Sequence, residues 1–114
     1  MPKARARPAP TPELLDLIAT RFRVLAEPAR LRILHALEGG ELTVGALVER
    51  TGLAQGNLSK HLQQLYQAGF VDRRREGLFV HYALADERVF DLCEMMCGRM
   101  EEMVGATRRA LATR

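Results

Sequence analysis

Cys93 and Cys97, the two cysteines of this 114-residue chain, are its side chains best suited to thiol chemistry. At i, i+4 both sulfurs fall on one face of a helix, with Cβ atoms about 5–6 Å apart. A direct disulfide is strained there, because its Cβ atoms lie near ~3.8 Å. A polysulfide bridge or a single thiophilic atom fits that gap better. Zinc needs about four ligands, so one chain's pair supplies half, and a site would need four thiols gathered in a dimer. The bland alternative is packing: Val89, Leu92, Met96, Met100 and Met103 continue the same face, and free cysteine is often a small buried hydrophobe. Both readings stay open. Met95, Met96, Met100 and Met103 read the same way, as packing at helical spacing rather than a copper site.

A second group of residues suits nucleic acid. Gln55, Asn57, Ser59, Lys60, His61 and Gln64 lie on exposed or partly exposed positions of a helix whose Leu58, Leu62 and Leu65 face inward. Amides pair bidentately with adenine edges in a major groove, while Ser, Lys and His reach phosphates or bases. Gly56 lets backbone and DNA come close. Shortly downstream stand three consecutive arginines, Arg73, Arg74 and Arg75, suited to a phosphate ridge or a minor groove. A merely solvated face is the competing reading, and the coincidence of features weakens it. Nothing points to an enzyme: there is no nucleophile beside a base, no phosphate-cradling glycine loop and no carboxylate pair in an apolar pocket.

The elements that must position these groups follow from periodicity. Thr11-Pro12-Glu13 starts a helix that Leu14, Leu15, Ile18, Phe22 and Leu25 carry to about Ala26. Glu27-Pro28 opens a second helix with Leu31, Ile33, Leu34 and Leu37 inward, stopped by Gly39-Gly40. Thr43 caps a short third helix ending at Thr51-Gly52, and the fourth closes at Ala68-Gly69. Two short helices across a tight glycine turn form a helix-turn-helix signature. Beyond Gly69 the period falls to about 2, predicting a β-hairpin with a charged tip at Glu76-Gly77. Asp86 caps a long last helix from about Glu87 to Ala112. The expected architecture is a mainly α, winged helix-turn-helix of order α-α-α-α-β-β-α over residues 12–114. Residues 1–11 read as a flexible basic tail holding Lys3, Arg5 and Arg7.

Composition agrees. A hydrophobic fraction of 47% and a charged fraction of 27% suffice for one packed domain, not a disordered chain. Aromatics are 5% with no Trp, so Leu, Val, Ala and Met must build the core, which favours helices. Two cysteines are too few for a disulfide scaffold and no apolar run spans a membrane, so a cytoplasmic location is expected. The formal charge of +3 permits nucleic-acid binding without requiring it.

Leu25-Ala26-Glu27-Pro28-Ala29-Arg30-Leu31-Arg32-Ile33-Leu34, with Gln55-Gly56-Asn57-Leu58-Ser59-Lys60-His61-Leu62 and Ala68-Gly69-Phe70-Val71, resembles the ArsR/SmtB family of bacterial repressors. Arg74 through Leu84 resembles that family's wing. The resemblance implies a homodimer paired through its first and last helices, bound to double-stranded operator DNA and released by an inducer. It puts His61 at a DNA-contact position and the two recognition helices ~34 Å apart on an inverted repeat. The family's metal sites do not carry over: Thr43 and Gly45 stand at the cysteine positions of one, and Arg88 replaces the histidine expected near Asp86 in the other. His35 stands where persulfide-sensing relatives place a cysteine. What remains is a thiol sensor at Cys93 and Cys97, answering redox change, persulfide, or As(III) and Sb(III). The alternatives are a constitutive regulator without thiol sensing and a winged-helix module that binds protein.

Overall fold

Pro12 opens α1 (Pro12–Leu25), and the Thr11 hydroxyl before it accepts the Leu14 backbone N–H at 3.1 Å. The computed structural model describes residues 8–112. Lys3, Arg5 and Arg7 of the expected tail lie outside that range, and residues 8–11 are exposed. Pro28 opens α2 (Pro28–Ala36), which tightens into a single 3-10 turn, Leu37–Gly39. Then follow β1 (Leu42–Thr43), α3 (Val44–Thr51), α4 (Gln55–Gln67), β2 (Val71–Glu76), β3 (Phe79–Leu84) and α5 (Val89–Ala112). The fold is a winged helix-turn-helix, mainly helical with a small antiparallel sheet of order β1-β3-β2.

The helix-turn-helix corner rests on Gly52. Its φ of 74° is left-handed, so it ends α3 without the steric penalty a Cβ would bring, and its N–H closes on the Val48 carbonyl. The core beneath is aliphatic. Ile33, Leu34 and Leu37 meet Leu47 of α3 and Leu58, Leu62 and Leu65 of α4, with Val71 and Tyr82 of the sheet closing one side. Two guanidinium groups satisfy helix-end carbonyls: Arg32 donates to Thr51 O at 3.3 Å and Arg21 to Ala68 O at 3.2 Å. These contacts tie the ends of α3 and α4 to the helices behind them.

Three expectations need correction. The sheet has a third strand, β1, pairing Leu42 with Tyr82 and Thr43 with His81; two residues are too few to show a period of 2. The hairpin tip is apolar rather than charged. Glu76 pairs with Phe79, which leaves Gly77 (φ 61°) and Leu78 as the loop, with Leu78 94% and Phe79 64% exposed. Methionine does not build the core: Met95, Met96, Met100 and Met103 all lie exposed. The reason is that α5 contributes only its first turn, Val89 and Phe90, to the core. The Cα radius of gyration is accordingly 18.1 Å, against about 13 Å for a compact chain of this length.

The turn into α5 is set by Asp86, two residues past β3. Its carboxylate accepts the Arg88 backbone N–H at 2.9 Å and a fork from the Arg88 guanidinium, shortest at 2.7 Å. Those side-chain bonds, then the backbone bond, pull its pKa from 3.8 to about 2. A carboxyl group depressed on folding stabilises the fold above its unfolded pKa, and that contribution is lost as pH falls from 3.8 toward about 2. Asp86→Asn is therefore expected to remove an acid-dependent fraying of the α5 start across that window, read by amide exchange of Val89 and Phe90.

Candidate nucleic-acid interface

Helix α4 sorts its side chains sharply. Leu58, Leu62 and Leu65 are fully buried, whereas Gln55, Gly56, Asn57, Ser59, Lys60 and Gln64 are exposed. Gln55, Gly56 and Asn57 form the first turn of the helix, so they stand where the backbone N–H groups also point outward. Among the described residues, no hydrogen bond or ion pair engages the side chains of Gln55, Asn57, Ser59, Lys60 or Gln64. Their donors and acceptors are free for an outside partner.

His61 differs from them. It is half-buried and held from behind: Arg30 Nε donates to His61 Nδ1 at 3.1 Å, and Arg30 Nη1 donates to Val24 O at 3.2 Å. Arg30, Ser59, Lys60, His61 and Gln64 line one open depression on this face. Sequence reasoning passed over Arg30. A cation in the first turn of α2 gives no local signal that it reaches a residue 31 positions away.

The wing arginines part company. Arg73 stacks 3.9 Å from the Tyr66 ring centroid and donates to Gln63 Oε1 at 3.1 Å, which clamps the wing to α4. Arg74 points to the other side and grips Glu41 bidentately at 2.6 and 2.8 Å. Hydrogen bonding from Arg74 lowers the Glu41 pKa, and His81 sits 3.5 Å from both Glu41 and Glu76. Arg75 has no protein partner among the described residues. Of the three, it is the cation free for phosphate. On salt-titrated DNA binding, Arg75→Ala is expected to reduce the slope of log K against log salt by about one for each bound chain, one phosphate apiece. Arg74→Ala is expected to leave that slope near the parent value and instead speed amide exchange where β1 meets β3.

The cysteines lie on α5. Cys93 is half-buried and Cys97 exposed, and neither forms a disulfide. They share two recesses. One has an acidic rim, including Glu38, Asp91 and Glu94. The other, about 550 Å³, is apolar and formed by Phe22, Leu25 and Leu31 with Leu92, Met96 and Met100. His35 borders both and packs on Phe90 at 5.4 Å. Among the described residues no group of three or more His, Cys, Asp or Glu is placed to hold a metal ion. Leu14, Leu15, Leu17 and Phe22 of α1 are exposed as well, so α1 and α5 together present a broad apolar surface. No described helix is long and apolar enough to cross a membrane.

Residues 27–73, from the start of α2 into β2, match the family described as "Bacterial regulatory protein, arsR family". The "Probable mercury resistance operon repressor" of Streptomyces lividans is 42% identical over 77 residues, 68% of this chain. The match spans 62% of that relative, less than two thirds of its length. The "Biofilm growth-associated repressor" of Agrobacterium fabrum is 38% identical over 69% of this chain and 68% of its own. A homodimeric winged helix-turn-helix DNA-binding domain from Mycobacterium bovis superposes with a TM-score of 0.73 at 33% identity, covering 88% of this chain and 95% of that one. The crystal structure of M. tuberculosis Rv0081 gives 0.74 at 33% identity over 86% and 98%. The matching family is one of regulatory proteins, and both of these relatives are named as repressors.

Proposed function

Because this chain belongs to the ArsR family of bacterial regulatory proteins, we propose that it is a dimeric repressor that reads operator DNA with α4 and the β2–β3 wing. The observation that carries this reading is the outer face of α4, where five polar side chains stand exposed and unengaged above a fully buried leucine row. Asn57 and Gln55 supply amide edges for adenine, Ser59 and Lys60 reach base or phosphate, and Gly56 admits close approach. His61 adds a ring N–H. Arg75 takes phosphate beside the groove, while Arg73 and Arg74 hold the wing at its angle to α4 and β1.

Residues 12–114 act as one domain whose partner is a second copy, paired through α1 and α5. The exposed apolar residues of both helices support this pairing, and a neighbour of the same fold is homodimeric. Pairing puts two α4 helices on one side of the DNA, about one turn, ~34 Å, apart. Footprinting on the DNA upstream of the protein's own coding sequence tests the reading. Two protected half-sites one turn apart are expected; protection without sequence preference would contradict it.

The inducer acts at Cys93 and Cys97. Both thiols border the apolar recess between α1, α2 and α5, so bridging them repacks the helices that carry the dimer. Moving one copy against the other changes the spacing of the α4 helices, which both half-sites must satisfy. Inorganic polysulfide bridges the pair by giving sulfane sulfur to both thiols, its remaining sulfur being reduced and leaving as hydrogen sulfide, whereas As(III), Sb(III) and the mercury named for the Streptomyces relative bind both thiolates with release of their protons. Each is presented in turn to the DNA-bound protein. Release by one of them, lost in the Cys93→Ser, Cys97→Ser double variant, is the expected result. Release that survives the double variant, or no release at all, makes the thiols packing groups of a regulator governed otherwise.

A further inference from the structure

We propose that Arg30 is a positioning residue for DNA recognition, fixing the His61 ring so that its Nε2–H faces the nucleic acid as a donor. The inference rests on the repressor reading and names a part of it that contact-surface reasoning alone would omit. A guanidinium can only donate. At 3.1 Å from Arg30 Nε, His61 Nδ1 must therefore accept, and the ring's own proton sits on Nε2. A second bond, from Arg30 Nη1 to Val24 O at 3.2 Å, anchors the guanidinium to the end of α1, so the fork cannot swing away with the ring.

The consequence is chemical. A histidine free to choose its tautomer offers either a donor or an acceptor to the groove. Held by Arg30, His61 offers a donor, which suits a phosphate oxygen or the O6 and N7 of guanine and rejects an amino group. Ser59 and Lys60 border the same depression and add further donors beside Gln64, whose amide can donate or accept. Lysine does not replace Arg30: a single ammonium lacks the planar fork that serves the ring and the carbonyl together.

Two readouts test the assignment. In the free protein, nitrogen-15 NMR of the imidazoles is expected to show His61 in the Nε2–H form, and the Arg30→Lys variant is expected to show mixed tautomers. On DNA, Arg30→Lys keeps the charge yet is expected to weaken operator binding about tenfold, the scale of a net hydrogen bond across two half-sites. In a His61→Ala background the same change is expected to cost nothing further. His61→Gln, which keeps an N–H near Nε2, is expected to retain more binding than His61→Asn. Phosphate contact would lower affinity equally for all duplexes and a guanine contact only for cognate ones, both within the proposal. Additive losses for Arg30→Lys and His61→Ala, or an unchanged His61 tautomer in Arg30→Lys, overturn it. Wild-type protein with no sequence preference for DNA overturns the repressor reading instead, and the NMR result separates the two failures.

Discussion

Met96→Glu is expected to leave a folded single chain that has lost its partner and about a hundredfold or more of its operator affinity. Met96 sits on the exposed apolar face of α5 and borders the recess shared with Phe22 and Met100. It takes no part in the aliphatic core, and glutamate is a good helix former, so the monomer keeps its fold. In a two-fold interface every substitution occurs twice. Two carboxylates then lose water on an apolar surface, a penalty of several kcal/mol per ion. Separated chains bind each half-site alone and forfeit the high effective concentration that linkage provides. Sedimentation at micromolar protein reads the mass, circular dichroism the fold, and anisotropy the affinity. A variant that stays dimeric would place the interface elsewhere than α1 and α5.

Asn57→Ala is the second large effect expected. Asn57 is exposed in the first turn of α4 with no partner in the protein, so its removal leaves stability unchanged or slightly raised. A bidentate amide–adenine contact discriminates by about 1–3 kcal/mol, hence about 2–6 kcal/mol over two half-sites. Operator affinity should fall at least about thirtyfold. Binding to unrelated DNA should hardly change, because that binding comes from phosphate neutralisation. Lys60→Ala is the contrast, weakening cognate and unrelated duplexes alike. An Asn57→Ala protein that loses both kinds of binding equally would mean Asn57 does not read a base.

How legible this was in the sequence depended on the range of the interaction. Thr11, Pro12, Thr43 and Gly52 act within a few residues of themselves, and the helix ends they set were readable from local chemistry. The alternation after Gly69 likewise gave the hairpin, though not its loop, since Glu76 pairs in the ladder and leaves Gly77 and Leu78 to turn. Long-range pairings were not readable. Three adjacent arginines look equivalent on paper, yet strand alternation sends Arg73 to Tyr66 and Gln63 and Arg74 to Glu41. Arg30 and His61, like β1 and β3, meet only because the chain folds back. The methionines read as core or dimer packing, and the core half failed for a related reason. Helical spacing marks an apolar face without saying whether the chain itself covers it, and α5 turns that face outward.

One titration tests whether α4 reads a DNA sequence. Reduced protein is titrated at one fixed salt concentration against a labelled duplex from its own upstream region and against a scrambled duplex of equal length. Specific sites are bound typically 10³-fold or more tighter than random DNA. A preference on that scale for the upstream duplex is expected, falling at least about thirtyfold in Asn57→Ala while the weaker binding to scrambled DNA persists. Equal affinity for the two duplexes, unaffected by Asn57→Ala, would contradict it.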